Sequence, residues 1–141
     1  MLRAILIAAM INRPAPYVAR VYEATPVAPL HGVCLVEKEA WFKPTALHIN
    51  WNEDHTIVLS TDFGWWQLND RFHPQYRGDL AAHNRYGANY FTKVLFEQRF
   101  DFRAAIAAYN TGNPRSSRGL EWADQVLLLY DRLRVMDWWP K

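Results

Sequence analysis

The stretch EKEAWFKP (37–44), followed after a polar interval by STDFGWWQLN (60–69), decides the fold of this chain. Its first part continues an apolar helical pattern that starts at Pro29, a residue suited to a first helical turn, and that must end by Pro44. The interval contains turn formers and then a β-branched, extended segment, which predicts a small β-hairpin. Gly64 then allows a tight turn or a close approach of the backbone to a ligand.

Helical periodicity extends on both sides of this stretch. The predicted helices cover residues 4–10, 17–24, 29–42, 79–98, 102–110 and 121–135, and the hairpin falls within 45–60. A chain of 141 residues fits one domain, 1–141, that is large enough to bury a core. The predicted fold class is therefore α+β, mainly α, with a small β-hairpin lobe.

Composition narrows the class of protein. Half of the residues are hydrophobic and 15% are aromatic, with seven each of Trp, Tyr and Phe, which indicates a globular chain. A dense aromatic core is the commoner reason for such an excess, although sugars also favour Trp and Tyr in their binding sites. A net charge of +2 allows attraction to an anionic polymer such as a bacterial cell wall but does not argue for nucleic acid.

The cysteine, the first apolar run and the histidines give no indication of a disulfide, a membrane span or a metal site. Cys34 is the only cysteine and lies among apolar residues, so we expect a small buried side chain and no intrachain disulfide. The apolar run 4–11 is too short to cross a membrane and lacks a clear cleavage pattern, which favours a helix over a signal peptide. His48, His55 and His73 have no metal-like spacing and are interpreted as surface residues.

The helix before Pro44 carries two acids, Glu37 and Glu39. Residues two apart on a helix point to nearly opposite sides, so at most one of them can face a given cleft. Around the helix axis, Glu37 lies closer to the apolar stripe. Glu39 lies at an angle between those of Leu35 and Val36. Both acids could also be solvated, and periodicity alone leaves the three alternatives open.

The order of the motifs resembles the soluble lytic transglycosylase and lysozyme-like superfamily, which cleaves peptidoglycan. The resemblance covers roughly residues 28–130 and includes EAWFKP, STDFGWWQLN, AAIAAYNTG and the W-A-x-x-V segment near the end. In that family the catalytic Glu is followed by Ser, by an aromatic residue three positions on and often by Pro five positions on. Glu39, Phe42 and Pro44 keep this spacing, with Ala40 in place of the Ser, so the resemblance selects Glu39 over Glu37.

The other motifs supply the remaining site residues that the resemblance implies. Part of STDFGWWQLN is similar to the family's Gly-x-x-Gln-x-Asn signature, AAYNTG is similar to its Ala-Tyr-Asn-x-Gly, and Asp62 stands where animal-type lysozymes hold a second carboxylate. The implied catalytic residues are Glu39 and Asp62. The implied substrate-binding residues are Gly64, Gln67, Asn69, Tyr109 and Asn110.

The resemblance thus implies a lysozyme-like fold that cleaves the β-1,4 bond between N-acetylmuramic acid and N-acetylglucosamine, with peptidoglycan as partner and no metal or cofactor. A lytic transglycosylase uses one Glu, whereas a lysozyme hydrolyses the same bond with Glu39 and Asp62; a non-catalytic glycan-binding module is a third alternative. Such a protein acts on the cell wall, outside the cytoplasm or delivered by a virion. A phage lysin would explain the lone cysteine and the absence of a clear signal peptide.

This chemistry requires Glu39 to keep its proton near neutral pH. The negative end of a helix dipole contributes only about 0.3–1 kcal/mol to this, so desolvation by aromatic neighbours must supply the rest. The candidate neighbours are Trp41, Phe63, Trp65 and Trp66. We therefore predict a raised pKa for Glu39. Tyr109 is expected either to hold Glu39 by a hydrogen bond or to pack in the core.

Overall fold

The computed structural model describes residues 1–73 and 79–135, and this part of the chain contains six helices and one three-stranded antiparallel sheet. The helices are α1 (Leu2–Ile11), α2 (Ala15–Ala24), α3 (Pro29–Ala40), α4 (Leu80–Glu97), α5 (Phe102–Thr111) and α6 (Ser117–Leu133). The strands, in the order β1-β2-β3, are β1 (Leu47–Trp51), β2 (Val58–Phe63) and β3 (Leu68–Asn69). The predicted α+β, mainly α class is confirmed. The predicted hairpin corresponds to β1 and β2, but β2 extends to Phe63 and the short strand β3 makes the hairpin a three-stranded sheet.

Helix α3 is the most deeply buried helix in the described residues. Its apolar residues are inaccessible to solvent from Val33 to Val36, and it packs between α2 and α6. Cys34 lies within this segment, and burial raises the pKa of its thiol well above the usual range. The expected buried, apolar role of this cysteine is confirmed.

Small residues let α5 and α6 approach each other closely. Ala105 and Ala107 of α5 are fully buried, and a β-carbon added to Gly119 of α6 would lie 3.0 Å from the carbonyl oxygen of Ala107. This contact brings the end of α5 and the start of α6 together. Helix α6 begins four residues before its predicted start. The Ser116 side chain accepts a hydrogen bond from the Gly119 N–H and so caps the helix at this earlier position.

Two adjacent tryptophans anchor the sheet to the helices. Trp65 and Trp66 are both 0% exposed, and the indole N–H of Trp66 donates to the side chain of Asn84 on α4 over 3.0 Å. Helix α4 passes so close that a β-carbon on Gly87 would lie 2.1 Å from Cγ of Trp66. These two tryptophans are therefore core residues, in agreement with the commoner explanation of the aromatic excess.

Helix α3 ends two residues before the predicted boundary at Phe42. Trp41 and Phe42 both adopt left-handed backbone conformations, with φ of 50° and 55°, and the Trp41 N–H closes the helix on the Glu37 carbonyl. Phe42 is buried beneath the turn, whereas the Trp41 ring is exposed. Glu39 is therefore held in the last helical turn, directly before a fixed change of chain direction.

Two further expectations concern the chain ends. No helix within residues 1–73 and 79–135 has the length and apolar character needed to cross a membrane. The run that begins the sequence forms α1, which contributes Ala4, Ile7 and Ala8 to the core, as expected for a core or surface helix. The Trp138 and Trp139 tail lies outside the described residues.

Candidate active site

Glu39 lines a groove, which we call the Glu39 cleft. It consists of two adjoining cavities, a wide arm of about 760 Å³ and a narrow arm of about 410 Å³. Trp41, Lys43 and Trp122 line the wide arm, whereas Ser60 and Tyr109 line the narrow arm. The residues that line both arms are Glu39, Asn50, Asp62, Gln67, Asn110 and Arg118.

Glu39 lies where the two arms meet, with its carboxyl largely withdrawn from solvent. The pKa of Glu39 is raised to about 7: burial is the main cause, the negative charge of Asp62 adds to the increase, and the Trp122 indole and the Asn110 amide oppose it. The indole N–H of Trp122 donates to Oε1 over 3.1 Å. The predicted increase in pKa is confirmed, with desolvation as its main cause. Of the four aromatic residues expected to desolvate it, Trp41 lines the wide arm, whereas Phe63, Trp65 and Trp66 line neither arm.

Glu37 is committed to a different partner. The guanidinium group of Arg13 donates from Nε to Oε2 over 2.8 Å and from Nη2 to Oε1 over 2.9 Å. This bidentate ion pair ties the segment between α1 and α2 to α3. The geometry therefore separates the two acids that helical periodicity left open.

Asp62 is held by a network of side chains that spans all three strands. The Asn50 amide donates to Oδ2 over 3.0 Å and the Asn69 amide donates to Oδ1 over 2.8 Å. Both amides also donate to the Ser60 hydroxyl, at 3.2 and 2.9 Å. Antiparallel pairing creates this cluster, because Asn50 lies opposite Ser60, and Asp62 lies opposite Asn69. Each carboxylate oxygen of Asp62 thus accepts one amide N–H.

The turn between β2 and β3 places Gln67 in the cleft. Gln67 has a φ of 45°, and its amide donates to the carbonyl oxygens of Gly64 at 2.8 Å and Ala46 at 3.3 Å. Gly64 has a φ of 72° and lies against the ring of His83, where an added β-carbon would be 2.6 Å away. Gly64 and His83 line a small separate cavity. In the part of the chain that the structure describes, Gly64 therefore shapes the turn and does not line the Glu39 cleft, where it was expected to bind substrate.

Tyr109 lines the narrow arm, but its hydroxyl donates to the backbone carbonyl of Trp66 over 2.6 Å. Of the two alternatives for Tyr109, the structure therefore supports packing against the core, whereas the indole of Trp122 donates to Glu39. Burial raises the pKa of Tyr109 well above its usual value, so the phenol stays a donor at neutral pH.

Two residues that contact the acids of the cleft were not predicted as site residues from the sequence. Trp122 belongs to the W-A-x-x-V segment that was noticed without a role, and Asn50 was interpreted only as a turn former. Asn69, expected to bind substrate, donates from its side-chain amide to Asp62, and its side-chain oxygen Oδ1 accepts the Arg71 N–H.

The histidines differ in their surroundings. His48 and His55 are exposed, as expected. His73 is partly buried, which corrects its interpretation as a surface residue: its Nδ1 lies 2.6 Å from the Tyr86 hydroxyl and its ring packs against Tyr90. No group of metal-ligating side chains is found in residues 1–73 and 79–135.

The raised pKa of Glu39 predicts a pH-dependent loss of stability. The carboxyl titrates near 4.5 in the unfolded chain and near 7 in the folded protein, so between these values the folded state binds more protons. The free energy of unfolding should fall as pH rises through this window, by on the order of 3 kcal/mol in total. Urea unfolding of wild type and Glu39→Gln at about pH 4 and about pH 8 measures it. The Gln variant should gain on wild type only at the higher pH, and an equal difference at both would contradict the raised pKa.

The cleft can support acid catalysis. Glu39 can supply a proton near neutral pH, and Asp62, fixed by two amides, presents a second carboxyl group to the same groove. Glu39, Asp62, Gln67, Asn69, Tyr109 and Asn110 all line the cleft. Comparison of the chain with protein-family models, with curated proteins and with solved structures finds no match.

Proposed function

We propose that this protein is a peptidoglycan lytic transglycosylase with a lysozyme-like fold, which cleaves the β-1,4 bond between N-acetylmuramic acid and N-acetylglucosamine. The observation that carries the proposal is Glu39, a carboxyl whose pKa is raised to about 7 and which lies where the two arms of the cleft meet. A groove of this form accommodates a chain that continues past the bond to be broken. The proposed substrate places the activity at the bacterial cell wall.

The first step is protonation of the leaving group. Protonated Glu39 donates to the glycosidic oxygen as the bond from that oxygen to the anomeric carbon breaks. The Trp122 indole, which already donates to this side chain, stabilises the carboxylate that results. One side chain can therefore serve as acid and then as base.

Asp62 acts on the positive charge that develops at the anomeric carbon. Its two oxygens each accept an amide N–H, which favours electrostatic stabilisation over formation of a covalent bond by this carboxylate. The Glu39 carboxylate then removes a proton from a hydroxyl of the same sugar, which attacks the anomeric carbon and closes an anhydro ring. This reaction consumes no water molecule, because the sugar's own hydroxyl replaces the leaving group at the anomeric carbon.

Hydrolysis is the second candidate, because Asp62 lines the same groove as Glu39, as a lysozyme mechanism requires. Water would then replace the sugar hydroxyl as nucleophile. The two reactions share the first step and differ in their products.

Digestion of purified peptidoglycan followed by mass analysis of the soluble fragments tests the proposal. We expect muropeptides that end in anhydromuramic acid, lighter by one water molecule than the fragments with reducing ends that hydrolysis gives. Reducing ends would replace the transglycosylase by the hydrolase. Tight binding to the wall without release of any fragment would contradict both and favour a non-catalytic glycan-binding module.

A further inference from the structure

Trp41 presents an aromatic face at the rim of the wide arm. The side chain is 57% exposed, although it follows directly on the helix that carries Glu39. Its backbone is fixed, because its N–H bonds to the Glu37 carbonyl over 3.0 Å and the next residue, Phe42, is buried. The left-handed conformation of both residues costs free energy and persists only because the surrounding structure enforces it, which fixes the backbone that carries the indole. The exposed ring is thus a built feature of the cleft.

The wide arm also carries a concentration of positive charge. Lys38, Lys43 and Arg118 line it, and Lys38 and Lys43 are absent from the narrow arm. Among the described residues none of the three forms an ion pair. Glu121 and Asp62 line the arm as well, but within the described residues neither of them forms an ion pair with these three cations.

Lys43 and Trp41 are in contact. The ammonium group of Lys43 lies 5.2 Å from the centre of the Trp41 ring. A cation–π contact at an exposed site is weaker than a charge-assisted hydrogen bond to a carboxylate. An anionic ligand that enters the arm can therefore take the ammonium group from the ring and leave the aromatic face free for stacking.

We propose that Trp41 and Lys43 form a subsite for an N-acetylated sugar residue whose substituent carries a carboxylate. The indole stacks on the apolar face of the sugar ring, and the Lys43 ammonium pairs with the carboxylate. This inference rests on the proposed function and specifies the substrate of the same cleft. The carboxylate can belong to the lactyl group of a muramic residue without a peptide or to an acidic peptide stem.

Binding to a non-cleaving background tests the subsite. Glu39→Gln protein is titrated with glycan strands freed of peptide, with strands that retain their stems, and with neutral chitin oligosaccharides. Adding Lys43→Gln should weaken binding of a carboxylate-bearing strand about tenfold and change chitin binding less than about twofold. Trp41→Ala should weaken binding of both kinds of ligand about tenfold, and Trp41→Tyr should restore most of it, because a stacking face remains.

Matched controls lie outside the cleft. Trp51→Ala removes another partly exposed indole on β1, and Lys93→Gln removes an exposed ammonium on α4; neither residue lines the Glu39 cleft. Both should bind as the parent does. A Lys43 effect on stem-free strands assigns the carboxylate to the lactyl group, and an effect confined to stem-bearing strands assigns it to the peptide.

Loss of both ligand classes to the same extent in Lys43→Gln, or no loss in either, would overturn the subsite. These outcomes are separate from the proposed function, which depends on the fragments released by the wild-type protein. Selective binding without cleavage by wild type would retain the subsite and reject the enzyme. Cleavage by wild type without a Lys43 effect would do the reverse.

Discussion

Replacing Glu39 by Gln is expected to lower the rate of peptidoglycan lysis by about 10²–10⁴-fold, because a positioned general acid contributes that much and an amide cannot replace it. Glutamine has nearly the same shape, and its carbonyl oxygen can still accept the Trp122 N–H, so the cleft should keep its form. The decrease in turbidity of a cell-wall suspension near neutral pH measures the rate.

Glu37→Gln is the matched control, since the same change is made two residues away on the same helix. It weakens the ion pair with Arg13 and should cost stability by about 1–3 kcal/mol, but lysis should stay within a few-fold of wild type. If Glu39→Gln retained more than about a tenth of the wild-type rate, general acid catalysis by this residue would be excluded. If Glu37→Gln were the inactive variant, the two acids would have to exchange roles.

Replacing Gly87 by Ala should destabilise the protein by about 3 kcal/mol, which lowers its melting temperature by roughly 10 °C. The added β-carbon would lie 2.1 Å from Cγ and 2.4 Å from Cδ1 of Trp66. That ring has no exposed surface into which it could move and is held by Asn84, so helix and ring must separate. Chemical denaturation measures the loss.

Gly112→Ala separates this steric effect from a backbone effect. No atom lies within 4 Å of a β-carbon at that position, but φ is 74°, so only conformational strain of about 1–2 kcal/mol is expected. The Gly87 variant should lose more, although alanine is the better helix former by about 1 kcal/mol. Equal stability of Gly87→Ala and wild type would show that α4 does not contact Trp66 as described. Because the Trp66 carbonyl also holds Tyr109, the variant should lose activity as well.

The sequence predicted the fold class because its boundaries are set by local signals. Pro29 and Pro44 bracket the segment that contains α3, and the polar residues before β2 mark the hairpin. The exact end of α3 could not be predicted, since two consecutive left-handed residues that are not glycine depend on burial of Phe42 by the rest of the protein.

The contacts of the acids could not be predicted from helical spacing. Arg13, 24 residues before Glu37, occupies that acid, and Trp122, 83 residues after Glu39, donates to the other. Both distinctions arise from tertiary packing, which periodicity does not encode. The two alternatives for Tyr109 could not be separated for the same reason, because its hydroxyl donates to the backbone carbonyl of Trp66. The resemblance to a family predicted Glu39 as the catalytic acid. The residues that surround it were identified only from the three-dimensional structure.

The buried Cys34 has a practical consequence. A thiol reacts with alkylating reagents only after it reaches water and ionises, and this one is enclosed within α3, one and a half turns before Glu39. Its alkylation therefore reports transient opening of the helix. Since the sequence holds a single sulfhydryl, the labelling kinetics of the intact protein come from one place and need no engineered probe.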